Sequence, residues 1–195
     1  IMLVYDSTAT AWVEARAGME TFSLDVINRM NQVMSNSGID IEFRLAHAMS
    51  VDYTTTSTGA TPLSNDLYAL QDNSGAFAPV HAARDQYGAD LVALLVDHGS
   101  AYGYVGQGYV LWSWNGIPNY AFSVNAIRSV DIAHTLMHEV GHNLGAHHAK
   151  DQTQSPGPNT YLYSPSADYS AGWYFGGVTG AAYHTVMAYN YNNGT

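Results

Sequence analysis

His138-Glu139-Val140-Gly141-His142-Asn143-Leu144-Gly145-Ala146-His147-His148 is the stretch on which the reading of this chain turns. It fits the pattern H-E-x-x-H-x-x-G-x-x-H. His138 and His142 are four residues apart, so on a helix both imidazoles leave one face and reach one metal ion. Glu139, next to the first histidine, stands where it can take a proton from a metal-activated water. Gly145 predicts an abrupt end to the helix, because glycine adopts positive φ without a Cβ clash. The turn swings His148 back as a third ligand. Three protein ligands leave a fourth position to water, which marks a catalytic rather than a structural zinc site. A lone pair of histidines at this spacing is commonly just two ordinary histidines. The five fixed positions met together here are far harder to reach by chance.

Outward from the motif, apolar spacing predicts a helix over about 131–144 that buries Ile132, Leu136, Val140 and Leu144. Residues 1–5 read as a first strand. Residues 17–34 carry one helical stripe, Met19, Phe22, Val26, Ile27, Met30, Val33 and Met34. Residues 39–49 alternate as a second strand, and the Ser/Thr-rich segment 54–62 reads as a loop. A short helix over 80–87 precedes Leu91–Val96, apolar on both faces as a central buried strand should be. Residues 121–126 form another strand. Gly103, Gly106 and Gly108 lack the spacing and the lysine of a phosphate-binding loop, which removes a nucleotide site. After Lys150 the chain turns rich in proline and tyrosine and loses periodicity.

Downstream lies Thr185-Val186-Met187-Ala188-Tyr189. With the long zinc motif, this segment resembles the metzincin metallopeptidases, whose second signature is a methionine turn beneath the metal. The segments Ile1–Tyr5, Asn36–Leu45 and Arg84–Val92 are similar to bacterial reprolysin-like metallopeptidases, a group that includes peptidyl-Asp metalloendopeptidases. The resemblance implies a single α/β catalytic domain over 1–195 with a zincin-like α+β arrangement. It implies a mixed, mostly parallel twisted sheet with an antiparallel edge strand near 102–114, and long helices. Residues 1–148 would form an upper lobe holding the sheet and zinc helix, and 149–195 a small irregular lower lobe. It further implies zinc on His138, His142 and His148, Glu139 as general base, Met187 as an apolar floor, and Tyr189 as a phenol near the metal that assists the intermediate.

Composition limits the partners. Six basic residues against sixteen acidic ones give a net charge of −10, which argues against nucleic acid. Lys150 is the only lysine, so a polybasic membrane anchor is not expected in these residues, and no apolar run nears the ~20 residues that span a bilayer. With no cysteine, a zinc site must use histidine and carboxylate. Asp97, Asp151 and Asp168 form no clustered calcium loop. Scarce lysine and abundant Asn, Ser, Thr, Gly and Tyr suit a secreted enzyme. Ile1 opening a strand suits the mature domain of a longer precursor.

The expectation is therefore a monomeric, secreted zinc endopeptidase that holds protein or peptide substrates extended along the edge strand. Two alternatives stand beside it. One is a zincin that uses Asp168 as its third ligand, with His148 incidental. The other is an inactive binding module that keeps zinc for stability, for which Glu139 would have no use. His134 shares the face of His138 and His142 but lies outside the motif, and His147 should point away from His148.

Overall fold

The computed structural model describes residues 1–162 and 168–189. Its sheet is built on three short runs that are buried on both faces: β1 (Met2–Tyr5), β3 (Val92–Val96) and β5 (Phe122–Ala126). Strands with this composition need helices on both sides, and parallel pairing supplies them. β2 (His47–Ser50) adds a parallel edge, β4 (Gly106–Gly108) adds an antiparallel one, and the order is β2-β1-β3-β5-β4. The expected mostly parallel sheet with an antiparallel edge strand is present.

Alternation divides the core. Leu3, Tyr5, Ala93 and Leu95 face α1 (Ser7–Glu14), α2 (Met19–Asn36) and α6 (Thr135–Asn143). Met2, Val4, Val92, Leu94, Val96, Phe122 and Val124 face α3 (Ser64–Gln71) and α4 (Ala78–Tyr87), through Leu63, Leu67, Leu70 and Val80. Helix α2 forms where its stripe required: Phe22, Val26, Ile27, Met30 and Met34 are buried, each contributing roughly 1.5–3 kcal/mol of apolar burial.

Two expectations need correction. The alternation over 39–49 yields a strand only at 47–50, and Ile39 and Ile41 are exposed. β1 offers four partners, Met2 to Tyr5, and Ile1 already bonds Ala46, so no strand edge remains for 39–43. Phe43 is buried instead by a clamp, with both of its backbone groups held by the Asn31 amide. The helix over 131–144 is two: α5 (Ile127–Ile132) and α6, separated by extended Ala133 at φ −143° and ψ −179°. Ile132 and Leu144 are exposed, and a hydroxyl pair at 2.7 Å, Ser129 to Thr135, bridges the break. Helices α1 and α3 have no counterpart among the expected elements. The first is announced by Asp6, whose carboxylate accepts from Ala9 N–H at 2.6 Å as an N-cap.

Beyond Lys150 the described residues are mostly irregular, with a small antiparallel pair, β6 (Tyr174–Gly176) and β7 (Ala182–His184), leading to the 185–189 segment. Among the described residues no helix is long and apolar enough to cross a membrane.

Candidate metal centre

Helix α6 lies against β4 and β5, with every residue from Thr135 to Asn143 buried. Its last turn is tied to the sheet edge. Asn143 donates to the carbonyls of Tyr109 and Phe122 at 2.8 and 3.1 Å, and the His142 carbonyl accepts from Leu111 N–H. The helix then stops at Gly145, which takes φ +96° with Leu162 packed against it. Asn159, fully buried, donates to the carbonyls of Gly145 and Leu111, locking turn and edge together. The chain re-enters the site at His148, which is held by short bridges to Ser155 and Gly157.

His138, His142 and His148 converge as expected, and among the described residues they are the group that could hold a metal ion. Each ring's Nδ1 lies on a carbonyl oxygen: Val186 at 2.7 Å, Ala146 at 2.8 Å and Gln154 at 2.6 Å. A carbonyl only accepts, so each Nδ1 carries the proton and each Nε2 presents a lone pair. Nevertheless His148 Nε2 stands 3.0 Å from the Nε2 of both His138 and His142. With no proton between them, these approaches are not hydrogen bonds. They are converging acceptors that only a cation satisfies, and nitrogens sharing a tetrahedral zinc stand about 3.3 Å apart. Burial pushes His138 down to about 4 and His142 to about 3, and lowers His148 as well, so the ligands are neutral at neutral pH. The donor set fits zinc. His148 stands within this cluster; the side chain of Asp168, the third ligand of the alternative reading, lies outside the described residues.

Glu139 is buried between α6 and β4. Burial pushes its carboxyl up to about 8, and a hydrogen bond from the Gly108 backbone pulls partly back. A cation in the neighbouring histidine cradle favours its ionised form. A side chain at Gly106 would overlap the Glu139 carboxyl oxygen, and one at Gly108 would come within 2.8 Å of the Glu139 carbonyl. These glycines, read from sequence only as failing a nucleotide pattern, let the edge strand close over the carboxylate.

The 185–189 segment meets the cluster from the other side. Val186 supplies the carbonyl for His138, and Met187 packs so tightly on Gly141 that a methyl there would overlap its sulfur. The Tyr189 ring stacks on His138, with centroids 5.4 Å apart and 16° between planes, and lies 4.5 Å from His148. Its phenol is pushed up to about 12 by burial and the nearby Glu139 charge, so it remains a proton donor.

The other candidates lie elsewhere. His134 is exposed at the start of α6, and His147 turns to the Pro156 carbonyl. His47 stacks on Tyr87, His81 bonds the Leu70 carbonyl, His98 bonds that of Tyr104, and His184 that of Thr185. Asp97 is paired with Arg128, and Asp151 is exposed. Asn143 and Asn159, which hold the turn, were not singled out from sequence. Asn159 gives no local signal.

A family model described as Metallo-peptidase family M12 matches residues 1–195. A peptidyl-Asp metalloendopeptidase of Pseudomonas aeruginosa is 31% identical over 208 residues, covering 100% of this chain. The chain spans only 32% of that relative's length. A chain in a solved chaperone–substrate complex has the same fold, with a TM-score of 0.63 and 19% identity, over 97% of this chain and 27% of the other. Metalloproteinase-II of Bacteroides fragilis gives a TM-score of 0.45 at 17% identity, over 86% of this chain and 49% of the other.

Proposed function

Because this chain belongs to metallopeptidase family M12, we propose that it is the catalytic domain of a secreted zinc endopeptidase with Glu139 as general base. The observation that carries the reading is the convergence of three buried Nε2 lone pairs beside a buried carboxylate. His138, His142 and His148 would hold the zinc. A zinc ion bound there supplies Lewis acidity and lowers the pKa of a coordinated water from about 15.7 to about 7.

The remaining work falls to the chain's own groups. Glu139 accepts the proton of the attacking water and hands it to the leaving amine. Its burial suits this double duty, since a carboxyl with a raised pKa is a better proton acceptor and holds the proton until the amine departs. The Tyr189 phenol donates to the oxygen that becomes negative as the carbonyl is attacked. Met187 and Val186, on the methionine turn, brace α6 and His138 from below. An extended substrate lies along β4, paired through its main chain and so accepted with little regard to sequence. Secretion is favoured by the scarcity of lysine together with the abundance of Asn, Ser, Thr, Gly and Tyr. The name of the Pseudomonas relative makes cleavage beside aspartate the first specificity to test.

The test is hydrolysis of denatured casein by the zinc-loaded protein, followed by mass mapping of cut sites in a peptide library. Cleavage should stop on chelation and return with zinc. A protein that holds stoichiometric zinc and cuts nothing would reduce it to a zinc-stabilised binding module.

A further inference from the structure

The Ser/Thr-rich loop 54–62 has no part in the chemistry above, yet it is firmly held. Asp66, fully buried, accepts from Tyr53 Oη at 2.6 Å, Thr55 Oγ1 at 2.9 Å and Ser57 Oγ at 2.5 Å. A second buried carboxylate, Asp6, takes the Thr55 N–H at 3.1 Å. Thr58 and Thr61 close the next turn on each other, with Thr58 N–H on Thr61 Oγ1 and Thr61 N–H on the Thr58 carbonyl. The hydroxyl-rich composition is thus a set of donors for a buried acid.

This clamp presents Gly59 to the chain entering β4. The Gly59 carbonyl accepts from Tyr104 N–H at 3.0 Å, and His98 Nε2 donates to the Tyr104 carbonyl at 3.1 Å. At Gly103, where φ is +86°, any side chain would overlap the Gly59 oxygen. The register shows what these bonds close. Ala126 N–H bonds the Val105 carbonyl and Tyr109 N–H bonds the Phe122 carbonyl, so 105, 107 and 109 turn their backbone groups to β5. Residues 104, 106 and 108 turn theirs to the free edge. Gly108 is packed directly against Glu139, and both groups of Tyr104 are taken. Among the described residues nothing takes the outward groups of Gly106. Further on, Tyr109 and Leu111 are bonded inward to Asn143, His142 and Asn159, which leaves Val110 facing outward.

We propose that loop 54–62, clamped on Asp66, closes the free edge of β4 at Tyr104 and so fixes how much peptide fits on that side of the scissile bond. This rests on β4 being the strand with which a substrate pairs. Glu139 lies against Gly106 and Gly108, and Tyr104 is two residues, about 7 Å of strand, from Gly106. One side of the cleft therefore takes about two residues before the stop. Toward Val110 no such stop exists among the described residues. The cleft is short on one side and open on the other.

Two peptide series test this with the zinc-loaded protein, one lengthened residue by residue on the amino side of the cut and one on the carboxyl side. In one series kcat/KM should level off after about two residues, and in the other it should keep rising. Gly59→Ala places a methyl 2.8 Å from the Tyr102 carbonyl and should push the cap aside. The long peptides of the levelled series should then gain on the order of tenfold, the worth of one added main-chain hydrogen-bond pair. Independently of activity, the Tyr104 amide should exchange slowly in the wild type and faster in Gly59→Ala. The wild-type series and exchange rate decide the matter without the variant. An active enzyme whose two series rise alike, or a Tyr104 amide that exchanges like a free one, overturns the cap and leaves the functional reading intact. A protein that holds zinc and cuts neither series brings down both.

Discussion

Gly106 sets where the base can sit. A methyl there would overlap the Glu139 carboxyl oxygen, so Gly106→Ala should leave the metal bound while rotating the carboxylate away from its working position. We expect kcat to fall on the order of 10²-fold with zinc content unchanged, checked by steady-state kinetics and metal analysis on one preparation. The Tyr189 phenol stays protonated through neutral pH and lies over the ligand rings. Tyr189→Phe should lower kcat by about 10²-fold with KM little changed, since the bond is made only to developing charge. An unaltered kcat would make the tyrosine structural. The ligands and Glu139 were legible in the sequence because one helix and one turn hold them all, within eleven residues. The roles of Gly106 and Gly108 were not, because what they touch lies on a different element of the chain.

The zinc helix and its turn act as a unit. Gly145→Ala asks an L-residue to hold φ +96° and to fit beside Leu162, whose Cδ1 would stand 2.9 Å from the new methyl. Since this turn carries His148, zinc affinity should drop by at least about tenfold, measured by competition with a chromogenic chelator. Gly141→Ala, which drives a methyl into the Met187 sulfur, should lower stability by about 1–3 kcal/mol, read as a fall in Tm. Local periodicity located α2, β1, β3 and β5, where one stripe or one apolar run suffices. It failed where a partner decided the outcome. Ile39 and Ile41 alternate with no strand edge to meet, and Ala133 breaks a helix whose spacing runs on. The α3 helix was missed because its buried Asp66 interrupts the apolar stripe, and only the hydroxyls of a separate loop satisfy that acid.

Across the whole molecule, the three lone pairs couple metal to fold. They approach one another only where a cation offsets their repulsion, so chelation should destabilise the chain, by about 4 kcal/mol when free zinc exceeds its Kd a thousandfold. Thermal unfolding with and without chelator reads this, and His148→Ala should show little further loss on chelation. The sheet, helix α6, the glycine edge and the 185–189 segment each touch the site, so the proposed chemistry depends on all four together. In the proposed function Glu139 moves the proton while the histidines hold the metal. The most direct test is casein cleavage by Glu139→Gln protein carrying one zinc per chain, beside wild type with the same zinc content. Activity should fall by at least about 10³-fold with zinc and Tm retained. Cleavage near the wild-type rate, with zinc still bound, would contradict the assignment of the base.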